Sequence, residues 1–133
     1  MSNICFIVID DDEFNNAICR MVIRRSLNIN DIEIFIKPED ALGLIVANYK
    51  KYGVQKKTIV LLDLNMPLIS GWDFLTYFDK LDKDMKENIY IFMLSSSIDE
   101  KDKIKAEAHP YVYAYLMKPL TSDILKEVMT QIN

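Results

Sequence analysis

Three consecutive aspartates, Asp10, Asp11 and Asp12, close the apolar run Ile4–Ile9. Asp63 closes a second apolar run, Ser95 and Ser96 a third, and Lys118 a fourth. One acidic residue after an apolar stretch is ordinarily a turn former or a helix cap, but agreement among four stretches points to a shared purpose. Carboxylates within several ångströms of one another repel by on the order of 4 kcal/mol per close pair at an effective dielectric near ~20. A crevice holding several of them therefore needs a cation. A hard ion that keeps some of its waters and takes one or two carboxylates together with phosphate oxygens suits these donors. With a single histidine in the chain and no cysteine beside the aspartates, Mg²⁺ or Mn²⁺ fits better than zinc. Lys118 would supply a second positive charge. A carboxylate can accept a phosphoryl group, and cations placed around the equatorial oxygens promote that transfer.

For these groups to meet, the ends of the four runs must lie side by side. Ile4–Ile9, Ile59–Leu62, Ile89–Leu94 and Val112–Met117 lack strict alternation, the pattern of strands covered by helices on both faces of a parallel sheet. Ile32, Ile34 and Ile36 alternate with Glu33 and Phe35, which predicts a strand at the sheet edge. Helical spacing joins Phe14, Ile18, Met21 and Val22, then Ala41, Leu42, Ile45, Val46 and Tyr49, then Phe74, Leu75, Phe78 and Leu81. Pro38 suits a first helical position and Gly53 a stop; Thr121-Ser122-Asp123 offers caps ahead of Ile124, Leu125, Val128 and Met129. Asp99 would cap a weaker fourth helix ending near Ala108. The alternation predicts an α/β, flavodoxin-like, doubly wound (βα)5 fold with a five-stranded parallel sheet of order 2-1-3-4-5. One domain would occupy residues 1–133, with no output domain. In such a sheet the ligand crevice lies beyond the carboxyl ends of the strands, beside the switch point between strands 1 and 3, where the aspartates, serines and lysine fall.

Half of the residues are apolar and 27% charged, the profile of a folded soluble protein. The net charge of −4 argues against a nucleic-acid partner; Arg20, Arg24 and Arg25 make a basic cluster that reads as a solvated helix face. Cys5 and Cys19 sit in apolar company without metal-ligand spacing, as small buried hydrophobes in a reducing, cytoplasmic setting. The run Ile4–Ile9 is too short for a signal peptide or a membrane span. His109, before Pro110, reads as a loop residue.

Four stretches, taken together and in order, resemble the receiver domains of two-component response regulators, most closely the single-domain chemotaxis type. They are Ile7-Val8-Ile9-Asp10-Asp11-Asp12; Leu61-Leu62-Asp63-Leu64-Asn65-Met66-Pro67 with Ser70-Gly71-Trp72; Met93-Leu94-Ser95-Ser96; and Tyr115-Leu116-Met117-Lys118-Pro119-Leu120-Thr121. The resemblance implies that Asp63 is the phospho-acceptor and a metal ligand, that Asp11 binds the ion directly and Asp10 mostly through water, and that the main-chain carbonyl of Asn65 completes the protein's share. The three aspartates leave open a second register, in which Asp11 and Asp12 form the metal pair. Ser95 would hydrogen-bond one phosphoryl oxygen and Lys118 another, with the lysine aimed by a cis peptide before Pro119. Asn65 and Ser97, small and polar, would leave open the approach of a hydrolytic water.

The same resemblance implies a sensor histidine kinase or a histidine phosphotransfer protein as donor, and a chain that catalyses only its own phosphorylation and dephosphorylation. Tyr115, with Tyr113 a weaker candidate on the same face, would couple the site to a surface of the fourth helix, fifth strand and fifth helix around Lys103, Glu107 and Ile124. A downstream protein would bind there to a monomeric receiver. Rival readings are a relay that passes the phosphoryl group onward, a haloacid-dehalogenase-like phosphatase built on Asp10-x-Asp12, a flavin-binding electron carrier of the same topology, and a receiver degenerated to an interaction module. The phosphatase leaves Asp63 unexplained, and the flavin carrier would set three aspartates against its phosphate.

Overall fold

The computed structural model describes residues 4–53, 57–66 and 70–132. Strands Ile4–Ile9 (β1), Ile32–Phe35 (β2), Lys57–Leu62 (β3), Ile89–Ser95 (β4) and Val112–Met117 (β5) form one parallel sheet in the order β2-β1-β3-β4-β5. Helices Glu13–Leu27 (α1), Pro38–Tyr52 (α2), Gly71–Asp79 (α3), Lys83–Lys86 (α4), Glu100–Ala108 (α5) and Ser122–Ile132 (α6) fill the connections. The apolar runs become strands because both of their faces are buried. Phe6, Val8, Ile59, Leu61, Phe92 and Leu94 face a core with Cys19 and Ile23 of α1 and Leu125, Val128 and Ile132 of α6. Ile7, Ile9, Val60, Leu62, Ile91 and Met93 face a second core with α2, α3 and Ala106 of α5. Burying a large apolar side chain is worth about 1.5–3 kcal/mol, and the two cores fix the register. Ile9 lies opposite Leu62 and Leu62 opposite Met93, so β1 and β3 end level and β4 runs two residues further, to Ser95.

Local chemistry sets the helix ends. Asp12 caps α1 by accepting from the N–H groups of Phe14 (2.9 Å) and Asn15 (3.3 Å), while Arg24 and Arg25 sit in its last turn, where positive charge opposes the helix dipole. Pro38, Glu39 and Asp40 open α2, and Gly53, at φ 76°, ends it. Asp99 caps α5 and Thr121 accepts from the Ile124 N–H at 3.2 Å at the start of α6. Among the described residues no helix is long and apolar enough to cross a membrane.

The structure departs from the sequence-based expectations in several places; Cys5 is half-buried and Ile36 lies exposed beyond the end of β2. The inward face of α1 is rotated: Asn15, Asn16, Cys19 and Ile23 are buried, whereas Phe14 is 76% exposed and Met21 44%. The inward positions of the first turn are taken by amides that hydrogen-bond to the end of β1, so the apolar stripe begins one turn later. Next, β5 carries an irregularity: Ile91 pairs with Val112 but Phe92 with Ala114. The extra residue swings Tyr113 onto the rings of Tyr90 and Phe92 (5.3 and 5.7 Å), on the α1/α6 side, while Tyr115 packs on the opposite side. The two tyrosines do not share a face. Finally, the described residues form six helices instead of five. The one-turn α4, too short to show a period, is held by Lys86 Nζ, which donates to Asp79 O (2.9 Å) and the Tyr111 hydroxyl (3.1 Å).

The rotated face of α1 gives a direct test. In urea unfolding, Phe14→Ser should leave the unfolding free energy within about 0.5 kcal/mol of wild type, whereas Ile23→Ala should cost about 2–5 kcal/mol. The reverse order would place Phe14 in the core.

Candidate functional site

Strand pairing continues one step past β1 and β3 and sets two carboxylates side by side. The Asp63 N–H donates to Ile9 O (2.9 Å) and the Asp10 N–H to Phe35 O (3.0 Å). At the other end of the crevice the Lys118 N–H donates to Ser95 O (2.9 Å), tying the end of β5 to the end of β4. Lys118 then reaches back across the sheet: its Nζ lies 2.6 Å from Asp10 Oδ2 and 3.4 Å from Asp63 Oδ1. The Lys118–Pro119 peptide is cis. Asp10 and Asp63 are buried and Asp11 is exposed, and the three offer carboxylate oxygens that all lie within 4.8 Å of one another. Asp12 is not in that group. Its Oδ1 caps α1 by accepting from the Phe14 and Asn15 N–H groups.

The electrostatics of the cluster follow from burial. Burial, then the charge of Asp10, pushes the Asp63 carboxyl up to about 6; Lys118 and a main-chain hydrogen bond from Asn65 offset this only in part. For Lys118, burial favours the neutral amine, but the hydrogen bond and charge of Asp10, followed by those of Asp63, outweigh it and hold the ammonium above its ordinary value. The crevice is thus a set of hard oxygen donors with more negative charge than one lysine balances. That donor set fits a divalent ion of the Mg²⁺ or Mn²⁺ kind, with Asp10, Asp11 and Asp63 available to it.

The remaining residues line up around this centre. Ser95 is buried at the end of β4, and its hydroxyl accepts from the Ser97 N–H at 3.1 Å. Ser97 also donates its hydroxyl to Asp102 Oδ2 of α5 (2.7 Å), and its carbonyl accepts from the Tyr115 hydroxyl (2.9 Å). A single residue therefore joins the strand-4 hydroxyl, the strand-5 ring and α5. Asn65 is exposed two residues beyond Asp63; Pro67 lies outside the described residues. His109 closes α5 and accepts from the Tyr111 N–H (3.2 Å), a loop role.

A family model described as the response regulator receiver domain matches residues 6–130. The chain belongs to that family. The receiver is similar to a two-component response regulator from Cytophaga hutchinsonii, at 30% identity over 99% of this chain and 98% of that one, with a TM-score of 0.88. A response regulator receiver protein from Dyadobacter fermentans is 28% identical over 96% of each chain, with a TM-score of 0.84. The fold is shared with a chain of the CheX-CheY-BeF3-Mg+2 complex from Borrelia burgdorferi, at 24% identity over 98% of this chain and 90% of that one, with a TM-score of 0.74. A search of curated protein sequences gave no match.

Sequence reasoning missed two parts of the receiver's site. One is the pair Asn15 and Asn16, buried and bonded to Asp10, whose only signal was two amides at inward positions of a helix. The other is the reason for Gly71. A Cβ there would meet the Asp63 carbonyl oxygen at 2.6 Å, and the Gly71 N–H donates to Leu64 O (3.0 Å), so α3 starts hard against the main chain of Asp63. Burial first, then the Asp10 charge, pushes the nearby Cys19 thiol up to about 12, so it stays protonated and unreactive.

A carboxyl that titrates at about 6 when folded and 3.8 when unfolded is neutral in both states at low pH and has no effect there. As pH rises between those values the unfolded chain ionises first and the native state loses stability; above about 6 the deficit is constant. Without metal, Asp63→Asn should therefore be more stable than wild type by up to about 3 kcal/mol near neutral pH. In urea unfolding the gap should close towards pH ~4, and a gap independent of pH would contradict this reading.

Proposed function

We propose that this receiver switches a partner protein through phosphorylation of Asp63. The observation that carries the reading is the meeting of the oxygens of Asp10, Asp11 and Asp63 within 4.8 Å of one another, with Lys118 Nζ against two of them. A carboxylate oxygen of Asp63 forms the new bond to phosphorus, and the phosphorus–nitrogen bond of a phosphohistidine on a sensor kinase or phosphotransfer protein breaks. The side chains of Asp10, Asp11 and Asp63 and the main-chain carbonyl of Asn65 would hold Mg²⁺ or Mn²⁺. When bound, the ion neutralises the carboxylates and stabilises charge on the phosphoryl oxygens. Lys118 takes one phosphoryl oxygen, moving from a carboxylate it already touches, and Ser95 donates its hydroxyl to another.

The phosphoryl group adds strong acceptors beside Ser95 and Lys118. Drawing the Ser95 hydroxyl towards them disturbs its bond from Ser97, and Ser97 carries the change to Tyr115 and to Asp102 of α5. The surface of α5, β5 and α6, with Lys103, Glu107 and the 63% exposed Ile104 on it, then changes its fit to a downstream protein. The receiver acts as a cytoplasmic monomer, and its catalysis is limited to gaining and losing its own phosphoryl group.

Acetyl phosphate with Mg²⁺ should raise the intact mass by one phosphoryl group in the wild type and leave Asp63→Asn unchanged, and chelation should abolish the gain. Undiminished labelling of Asp63→Asn would overturn the assignment.

A further inference from the structure

Asn15 and Asn16 open the buried face of α1 and are only 5% and 4% exposed. Burying a polar amide costs about 1–3 kcal/mol unless its hydrogen bonds are replaced, and Cys19 and Ile23 farther along the same face show the apolar alternative. Both amides turn to Asp10. Asn15 Nδ2 donates to Asp10 Oδ2 at 2.9 Å and lies 3.7 Å from Cys19 Sγ. Asn16 Nδ2 donates to the Asp10 main-chain oxygen at 3.0 Å. The carboxylate's other partners are the Asp12 N–H on Oδ1 (2.9 Å) and Lys118 Nζ on Oδ2 (2.6 Å).

This arrangement decides which of two carboxylates holds the lysine. The ammonium is flexible on its four-carbon stem, and Asp63 Oδ1 is only 3.4 Å away. If Oδ2 of Asp10 were held by the lysine alone, the Asp12 N–H on Oδ1 would be the carboxylate's one remaining anchor, and Oδ2 could swing with the lysine. Asn15 ties that oxygen to the first turn of α1, whose position is set in turn by the Asp12 cap and the packing of Cys19 and Ile23. The lysine must then come to Asp10.

We propose that Asn15 is a positioning residue of the phosphorylation site, fixing Asp10 so that the Lys118 ammonium rests closer to it than to the acceptor carboxylate. The inference rests on the receiver chemistry set out above. Its consequence is that Asp63 keeps oxygen surface open to a divalent ion and to phosphorus. Without Asn15, the ammonium shifts from Asp10 towards Asp63, and the tightened Lys118–Asp63 pair competes with the ion for the same oxygens.

The test uses the full chain and Mg²⁺ alone as probe, with affinity read by calorimetry and stability by thermal melting without metal. Asn15→Leu keeps the branching at Cγ and removes the buried amide, and Asn15→Ser is too short to reach Asp10. Both should weaken Mg²⁺ binding about tenfold and slow labelling by acetyl phosphate. Asn15→His, whose ring nitrogen branches from the chain where the amide nitrogen does, should recover most of the affinity. A merely structural role would shift the melting point and leave the Mg²⁺ affinity alone. Wild-type affinity in either folded variant, Leu or Ser, overturns the proposal. A wild type that binds no Mg²⁺ and takes no phosphoryl group overturns the receiver reading instead.

Discussion

The site depends on one contact, the Lys118 ammonium held between Asp10 at 2.6 Å and Asp63 at 3.4 Å. Two buried carboxylates on adjacent strand ends are unfavourable by themselves, through lost hydration and mutual repulsion of on the order of 4 kcal/mol. One positive charge makes the arrangement tolerable without making it neutral. What is left over, on Asp11 and on Asp63, suits a divalent ion and, in the proposed function, a phosphoryl group. A second lysine would satisfy the charges and close the site; no lysine would leave buried charges uncompensated.

The sheet order makes that contact possible. β1 and β3 are neighbours, so their ends present Asp10 and Asp63 together, and β4 separates β3 from β5, so the lysine arrives from across the crevice on the far side of Ser95. The connections then sharpen the geometry. The α1 cap diverts Asp12 from the cluster, Asn15 pins Asp10, and Gly71 lets α3 begin against the Asp63 carbonyl. On the opposite flank Ser97 gathers Ser95, Tyr115 and Asp102 into one hydrogen-bonded unit. The chemistry and its proposed readout thus meet in a loop of a few residues between β4 and α5.

Much of this was legible in the sequence because it is written in short, local signals. Apolar runs without alternation marked four strands, Pro38, Gly53 and Asp99 marked helix ends, and the polar residues after the runs marked one edge of the sheet. Misreadings arose where tertiary demands override the local pattern. Phe14 fits an apolar period, yet its inward neighbours are amides because a buried carboxylate needs donors more than the core needs another ring. Tyr113 and Tyr115 are two apart and so should share a face, but the irregularity opposite Phe92 separates them, and a bulge leaves no mark in residue types. The one-turn α4 is held by Lys86 and Tyr111, contacts that no four-residue window contains. Asp12 showed both its possible roles in the sequence, where the end of the apolar run at Ile9 and the following Glu13 already favoured the first turn of a helix, and its Oδ1 caps that turn.

The central claim is that Asp63 sits in a crevice of excess negative charge built to receive a divalent ion. Carbon-13 observation of the Asp63 carboxyl through a pH titration, with and without Mg²⁺, tests it most directly. The account predicts a midpoint of about 6 without metal, falling below the ordinary carboxylate range when Mg²⁺ is present, because the ion favours the charged form. A midpoint in the ordinary range without metal, or one that Mg²⁺ does not move, would contradict it.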